Sequence, residues 1–220
     1  QEFRSTAAIG NWQNSGSRRV RCETASPHKM YIRYPWQATP RSALRPPADL
    51  WLYQYKLSRG LYFYKYNKNS EYPIYYRKNI EDNLEEIILD CEKKSKEYSY
   101  FNISSVSHSH NHKYLAYNID TNGSEYFSLF VEDIKTKKQL SSVIKKTTGN
   151  IVWSLDNKYI FYVSLDENHR PTKVFKHKVG SNRSDILIYE EKDPAFFCSV
   201  NLSQTKKYLF IRTADHETSE

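Results

Sequence analysis

Three stretches decide the fold. They are Ser107-His-Ser-His-Asn-His-Lys-Tyr-Leu-Ala-Tyr117, Trp153-Ser-Leu-Asp-Asn-Lys-Tyr-Ile-Phe-Tyr162 and Ser203-Gln-Thr-Lys-Lys-Tyr-Leu-Phe-Ile211. Each runs from a polar turn through Lys-Tyr into a β-prone strand. Aligned on Ser107, the first has the form S-x(5)-K-Y-hydrophobic-x-aromatic, and the second repeats it with a shorter turn. The aligned lysines are Lys113, Lys158 and Lys207, spaced by 45 and 49 residues. A second motif keeps step. Leu129–Thr136 is a strand entering a turn, and Thr172–Gly180 does the same 45 residues later, judged from Phe130 to Phe175. Short strands separated by polar turns at such a period are the mark of a β-propeller blade, a four-stranded sheet that buries its faces against its neighbours. The fold class expected is all-β. It is a partial β-propeller of about three to four four-stranded blades, belonging to a larger ring of about seven blades.

Outward from the repeat, the texture is regular from Leu57 onward. Leu61–Tyr66 reads as a strand, Asn67–Ser70 as a turn and Glu71–Arg77 as a second strand with Pro73 near its edge. The acidic turn Asn79–Asn83 leads into a strand over Glu86–Asp90, and Asp90–Tyr98 has room for a short helix. Residues 1–50 differ. They hold eight basic and three acidic residues, five of the eight prolines and no sustained period of 2 or 3.6. This Arg/Pro-rich segment is expected to be a disordered arm or sequence extraneous to the domain. An organelle transit peptide is the alternative, disfavoured because Pro35, Pro40, Pro46 and Pro47 would break an amphipathic helix. The propeller portion is placed at residues 57–220. That span accommodates about three and a half blades, so the chain is expected to be a piece of a longer protein. Alone, it should fold poorly and aggregate through uncovered blade faces. A cooperative thermal transition in a monodisperse monomer would contradict this.

Composition narrows the function classes. The chain has 220 residues, a net charge of +8, nineteen Tyr, ten Phe, six Gly and one Met. Tyr suits half-buried strands, and few glycines argue against a Gly-rich phosphate loop. The longest aliphatic run, Ile87–Leu89, is far below the ~20 residues of a membrane helix. Cys22, Cys91 and Cys198 form no C-x-x-C pair, which disfavours a disulfide framework or a thiolate zinc site. The expectation is reduced, mostly buried thiols and a cytoplasmic location.

The stretch Leu57–Glu220 resembles the N-terminal propeller domain of the prolyl oligopeptidase family of serine peptidases, within it the oligopeptidase B group. The resemblance covers about three quarters of the chain. It rests on Gly60-Leu-Tyr-Phe-Tyr, Glu71-Tyr-Pro-Ile-Tyr-Tyr-Arg77, Glu86-Ile-Ile-Leu-Asp90, Ala116–Gly123 and Asn150-Ile-Val-Trp-Ser154. Ile186–Asp193, Phe197-Cys-Ser-Val200 and Thr218-Ser-Glu220 extend it. It implies a serine-type endopeptidase hydrolysing short peptides after Lys or Arg, with no cofactor. The propeller would gate substrate access to a C-terminal α/β-hydrolase domain in cis. The family's helical start, with its Tyr/Trp-Leu-Arg-Asp stretch, has no counterpart in residues 1–50. No G-x-S-x-G elbow occurs, and Asn14-Ser-Gly-Ser17 lacks both flanking glycines. No catalytic, cofactor or metal residue is therefore assigned, and the chain alone is expected to be inactive. A non-enzymatic propeller scaffold for protein binding is the alternative.

Other candidates have plainer readings. His108, His110 and His112 would face one side of a strand and could hold zinc or nickel, but they are expected in a solvated turn. Asp215, His216 and Ser219 crowd one loop, unlike a triad assembled from separate segments. Glu85-Glu86 and Glu190-Glu191 would face opposite sides of a strand, as solvated edges. Asn102, Asn122, Asn182 and Asn201 begin glycosylation patterns that are expected to be unused. Lys135–Lys138 and Lys145-Lys146 could meet phosphates, but lysines at strand ends also blunt edge pairing, so no nucleic-acid or membrane partner is expected.

Overall fold

The computed structural model describes residues 8–9, 55–57, 60–79 and 81–215. Its strands are antiparallel throughout: β1 (Ala8–Ile9), β2 (Tyr55–Leu57), β3 (Gly60–Lys65), β4 (Ile74–Asn79) and β5 (Glu85–Asp90) precede the one helix among the described residues, α1 (Cys91–Ser95). Then follow β6 (Asn102–His108), β7 (Tyr114–Asp120), β8 (Phe127–Asp133), β9 (Ile144–Thr147), β10 (Val152–Trp153), β11 (Tyr159–Leu165), β12 (Pro171–Lys178), β13 (Ile186–Glu190), β14 (Phe197–Leu202) and β15 (Leu209–Ala214). The described residues fall into two compact units, one holding 55–99 and the other 8–9 and 100–215.

The first unit is a four-stranded sheet in the order β2-β3-β4-β5. The second strand of the pair starts after Pro73, at Ile74 rather than Glu71, because proline cannot donate to the ladder. Phe63 stacks on Tyr76 with ring centroids 5.4 Å apart. Lys65 lies over both rings and pairs with Glu85 at 2.8 Å. The helix is shorter than Asp90–Tyr98. Asp90 caps it by accepting from the Lys93 N–H at 2.8 Å.

The second unit holds two four-stranded blades and the first hairpin of another. One blade runs β6 to β9 and the next β10 to β13, each with strands in sequence order, and β14-β15 begins the third. The two blades touch edgewise through one bridge, Thr147 to Ser164. Strands β7 and β11 are buried on both faces, which explains their nearly unbroken apolar runs. Strand β15 alternates instead, with Leu209, Ile211 and Thr213 buried while Phe210 and Arg212 are exposed. Strand β1 pairs with β15 through Ala8 and Ile9, within the first fifty residues; the remainder of that segment lies outside the described residues.

The 45-residue repeat is a repeat of contacts. Tyr117 faces Phe130 across β7 and β8, and Tyr162 faces Phe175 across β11 and β12; both pairs stack, at 5.3 and 5.6 Å. Ile134 N–H donates to the Lys113 carbonyl, and Val179 N–H to that of Lys158. The turns correct one detail of the alignment. The serine equivalent to Ser154 and Ser203 is Ser109, not Ser107, and all three turns have the same length. In each, the serine hydroxyl oxygen accepts from the N–H five residues on, at Tyr114, Tyr159 and Tyr208. The fourth residue adopts a left-handed φ, at His112, Asn157 and Lys206. We expect Ser154→Ala to cost about 1–2 kcal/mol, since it removes both the bond from the Tyr159 N–H and the one the hydroxyl donates to Asp156. Urea unfolding would read this, and an unchanged midpoint would show the hydroxyl to be dispensable.

Packing between blades supplies the core. Ala116, Leu129 and Val131 of one blade meet Trp153, Ile160 and Tyr162 of the next. Val152, Phe161, Val163 and Val174 meet Cys198, Val200, Leu209 and Ile211 of the hairpin that follows. A fully buried Val, Leu, Ile or Phe among them contributes about 1.5–3 kcal/mol, so each of these blades depends on the one packed against it.

Candidate functional site

The three histidines are not arranged on one strand face. His108 ends β6, and His110 and His112 lie in the turn before β7. His108 and His112 stack with ring centroids 5.2 Å apart, and His108 Nδ1 sits 3.0 Å from the Ser109 carbonyl. His110 Nδ1 lies 3.5 Å from Lys206 Nζ, in the turn of the third repeat. The turn is less solvated than its composition suggests: all three rings are half-buried. Burial holds His108 and His110 below the usual histidine range, and Lys206 adds to this at His110. Among the described residues no group of three His, Cys, Asp or Glu has the arrangement to hold a metal ion.

The acidic pairs divide across their strands. Glu85 meets Lys65, and Glu86 meets Arg77 at 2.5 Å. Glu190 pairs with Lys173 at 3.1 Å, whereas Glu191 accepts from the Tyr189 hydroxyl at 2.8 Å. Of the lysine runs, Lys146 pairs with Glu167 at 2.6 Å and lies over the Tyr126 ring. Asp133 anchors the turn that carries Lys135–Lys138, accepting from the Thr136 N–H and hydroxyl. Asn102, Asn122, Asn182 and Asn201 are exposed. Asp215 follows β15, and His216 and Ser219 lie outside the described residues, as does Cys22.

One arrangement escaped the sequence. His177 on β12 holds Asp185 at Nδ1, 2.7 Å away, and Ser141 Oγ at Nε2, 3.0 Å away. With Asp185 accepting the Nδ1 proton, Nε2 is left to accept the Ser141 hydroxyl. The second Asp185 oxygen accepts from the Tyr162 hydroxyl at 2.8 Å. Beside it, Ser142 donates through its N–H and its hydroxyl to Asn182 Oδ1 at 2.9 and 3.0 Å. The connectivity is that of a nucleophile, base and acid. Yet Ser141 is 6% and His177 3% exposed, so in this packing a substrate carbonyl has no approach to the hydroxyl. The network spans two blades and acts as a polar clasp between them. Ser141, His177 and Asp185 are separated by 36 and 8 residues with no motif at any of them, so no sequence signal pointed there.

Cys91 and Cys198 are free and buried. Burial pushes the Cys91 thiol up to about 12 and the Cys198 thiol up to about 11. The thiolate is the reactive form, so at about pH 8 it amounts to roughly one part in ten thousand at Cys91. We expect a thiol reagent to leave both unlabelled in the folded chain and to label both in urea, by peptide mapping. Rapid labelling without denaturant would mean that the blades open readily.

Residues 51–220 match the family described as prolyl oligopeptidase, N-terminal beta-propeller domain. The chain belongs to this family. Protease 2 of Moraxella lacunata is 32% identical over 175 residues, 74% of this chain and 25% of that protein. Among solved structures of the family, oligopeptidase B from Leishmania major superposes with a TM-score of 0.72 at 26% identity. It covers 76% of this chain and 24% of that one. Oligopeptidase B from Trypanosoma brucei, in a closed form with covalently bound antipain, gives 0.70 at 28% identity, covering 77% and 24%. The chain thus spans about a quarter of the length of these family relatives.

Proposed function

We propose that this chain is the propeller portion of a serine-type oligopeptidase of the oligopeptidase B kind. The observation that carries the reading is the family match across residues 51–220 within relatives about four times as long. In this reading the nucleophile, acid and base lie in a C-terminal α/β-hydrolase domain, and the blades supply none of them. Their role is to gate access, admitting short peptides and excluding folded proteins. Cleavage follows Lys or Arg, and the location is cytoplasmic. Inter-blade packing supports the gating role. In this reading the closely packed wall of Ala116, Leu129, Trp153 and Ile160, tied by the His177 clasp, is the rigid part of the size filter.

The test is to sequence the native transcript outward from both ends of the chain. A frame continuing through more blades into G-x-S-x-G, then Asp and His, is the expected result. The product should then cleave short Arg and Lys esters and peptides and spare folded proteins. A stop directly after Glu220 in the mature message would overturn the peptidase reading for this product and favour a scaffold.

A further inference from the structure

Three turns of identical build meet at one end of the second unit: residues 109–113, 154–158 and 203–207. The first touches both others. Its Asn111 N–H donates to Asn157 Oδ1 at 3.0 Å, and His110 Nδ1 lies 3.5 Å from Lys206 Nζ. His110 Nε2 is shut off from solvent and has no hydrogen-bond partner among the described residues. The turns carry Lys113, Lys158, Lys206 and Lys207 together with His110 and His112, and His108 adjoins them. Their one acid is Asp156, whose Oδ1 is already taken by the Ser154 hydroxyl and the Lys158 N–H.

We propose that His110 and Lys206 form a receptor for an oxyanion, a carboxylate or a phosphate group, at the meeting of these turns. Two nitrogens from turns 96 residues apart in sequence face each other, and among the described residues no acid pairs with either. The ammonium can donate to the imidazole only while the ring is neutral. An oxyanion beside the pair accepts from both at once, as charge-assisted bonds do, and removes the repulsion that protonation of His110 would create. The charged and titratable groups acting on His110 are Lys206 and His112, both unfavourable to its protonated form. Anion binding and proton uptake by His110 are therefore linked. Binding strengthens as pH falls through the ordinary histidine range, and a bound anion raises the His110 pKa.

The experiment follows the histidine ring protons by NMR across pH in the longer protein of which this chain is expected to be a piece, with inorganic phosphate in one arm. In the other arm the probe is a short acetylated peptide ending in a free carboxylate, with its amide as control. Saturating anion is expected to raise the His110 pKa by about one unit, about a tenfold preference for the protonated ring. Lys206→Asn should abolish the shift, and asparagine tolerates the left-handed φ of +61° found there. Lys207→Gln, in the same turn, should keep it. A response to phosphate alone defines a phosphate receptor, and a response to both probes a general oxyanion receptor. The proposal is overturned if neither anion moves His110. It is equally overturned if matched sodium chloride moves it as far, or if Lys206→Asn responds like the unaltered chain.

Discussion

Replacing His177 by alanine is expected to cost about 3 kcal/mol, at the lower end of the roughly 3–5 kcal/mol range for truncating a large buried ring, with the Asp185 carboxylate also losing its imidazole donor. The magnitude follows from what remains. Asp185, with its side chain 15% exposed, loses a 2.7 Å bond and keeps, among the described residues, only the Tyr162 hydroxyl. Ser141 loses its 3.0 Å partner, and the imidazole volume becomes a cavity between blades. The lower end applies because Asp185 retains some contact with water. Against a typical total of about 5–15 kcal/mol, the loss is large. Ser141→Ala removes a single neutral bond and should cost only about 1 kcal/mol. Urea unfolding measures both in the longer protein of which these blades are expected to be a piece, since the chain alone is expected to aggregate. Hydrogen exchange at the Ser142 N–H, bonded to Asn182 across the same junction, reports whether the blades part locally. Equal midpoints for His177→Ala and the unaltered chain would show that the network does not hold the blades together.

What the sequence revealed tracks how far apart the cooperating residues lie. The blade repeat was legible because in the two full blades the turn, the Lys-Tyr strand and its aromatic partner lie on consecutive strands. Tyr117 with Phe130 and Tyr162 with Phe175 are cross-strand neighbours inside one unit, so their 45-residue spacing survives in the linear order. The register of the first turn was misread because Ser107 and Ser109 both precede Lys113. Only the hydrogen bond from the Tyr114 N–H tells them apart. The opposite-facing acids, Glu85 with Lys65 and Glu86 with Arg77, followed from strand alternation alone. The clasp and the His110–Lys206 contact were not legible. Each joins residues of different blades, and their meeting depends on how one blade stacks on the next. A Ser, a His or an Asp has no local signature of a distant partner.

Gly149→Ala is the substitution expected to strain the junction between the same two blades most. Gly149 lies between β9 and β10 with φ of +87°, a region that costs an L-residue roughly 1–2 kcal/mol. A Cβ there would also sit 2.1 Å from Ser104 Oγ and 3.0 Å from Ser104 Cβ, with Phe127 Cδ2 at 3.3 Å. The hydroxyl does not yield without cost, because it donates to the Gly149 carbonyl at 3.1 Å, beside Ser105 Oγ at 2.5 Å on the same oxygen. Ser104 is exposed on β6, so the hydroxyl can turn toward solvent, but turning it away forfeits about another 1 kcal/mol. The total expected is about 3 kcal/mol. The backbone and steric parts separate in a double-mutant cycle. In a Ser104→Gly background the clash is gone, so Gly149→Ala should cost only the roughly 1–2 kcal/mol of the left-handed φ. An identical cost in both backgrounds would place the whole effect in the backbone and remove Ser104 from the account. No cost in either would mean that β9 and β10 can be joined without this turn, and the blade junction would then owe its geometry to side-chain packing alone.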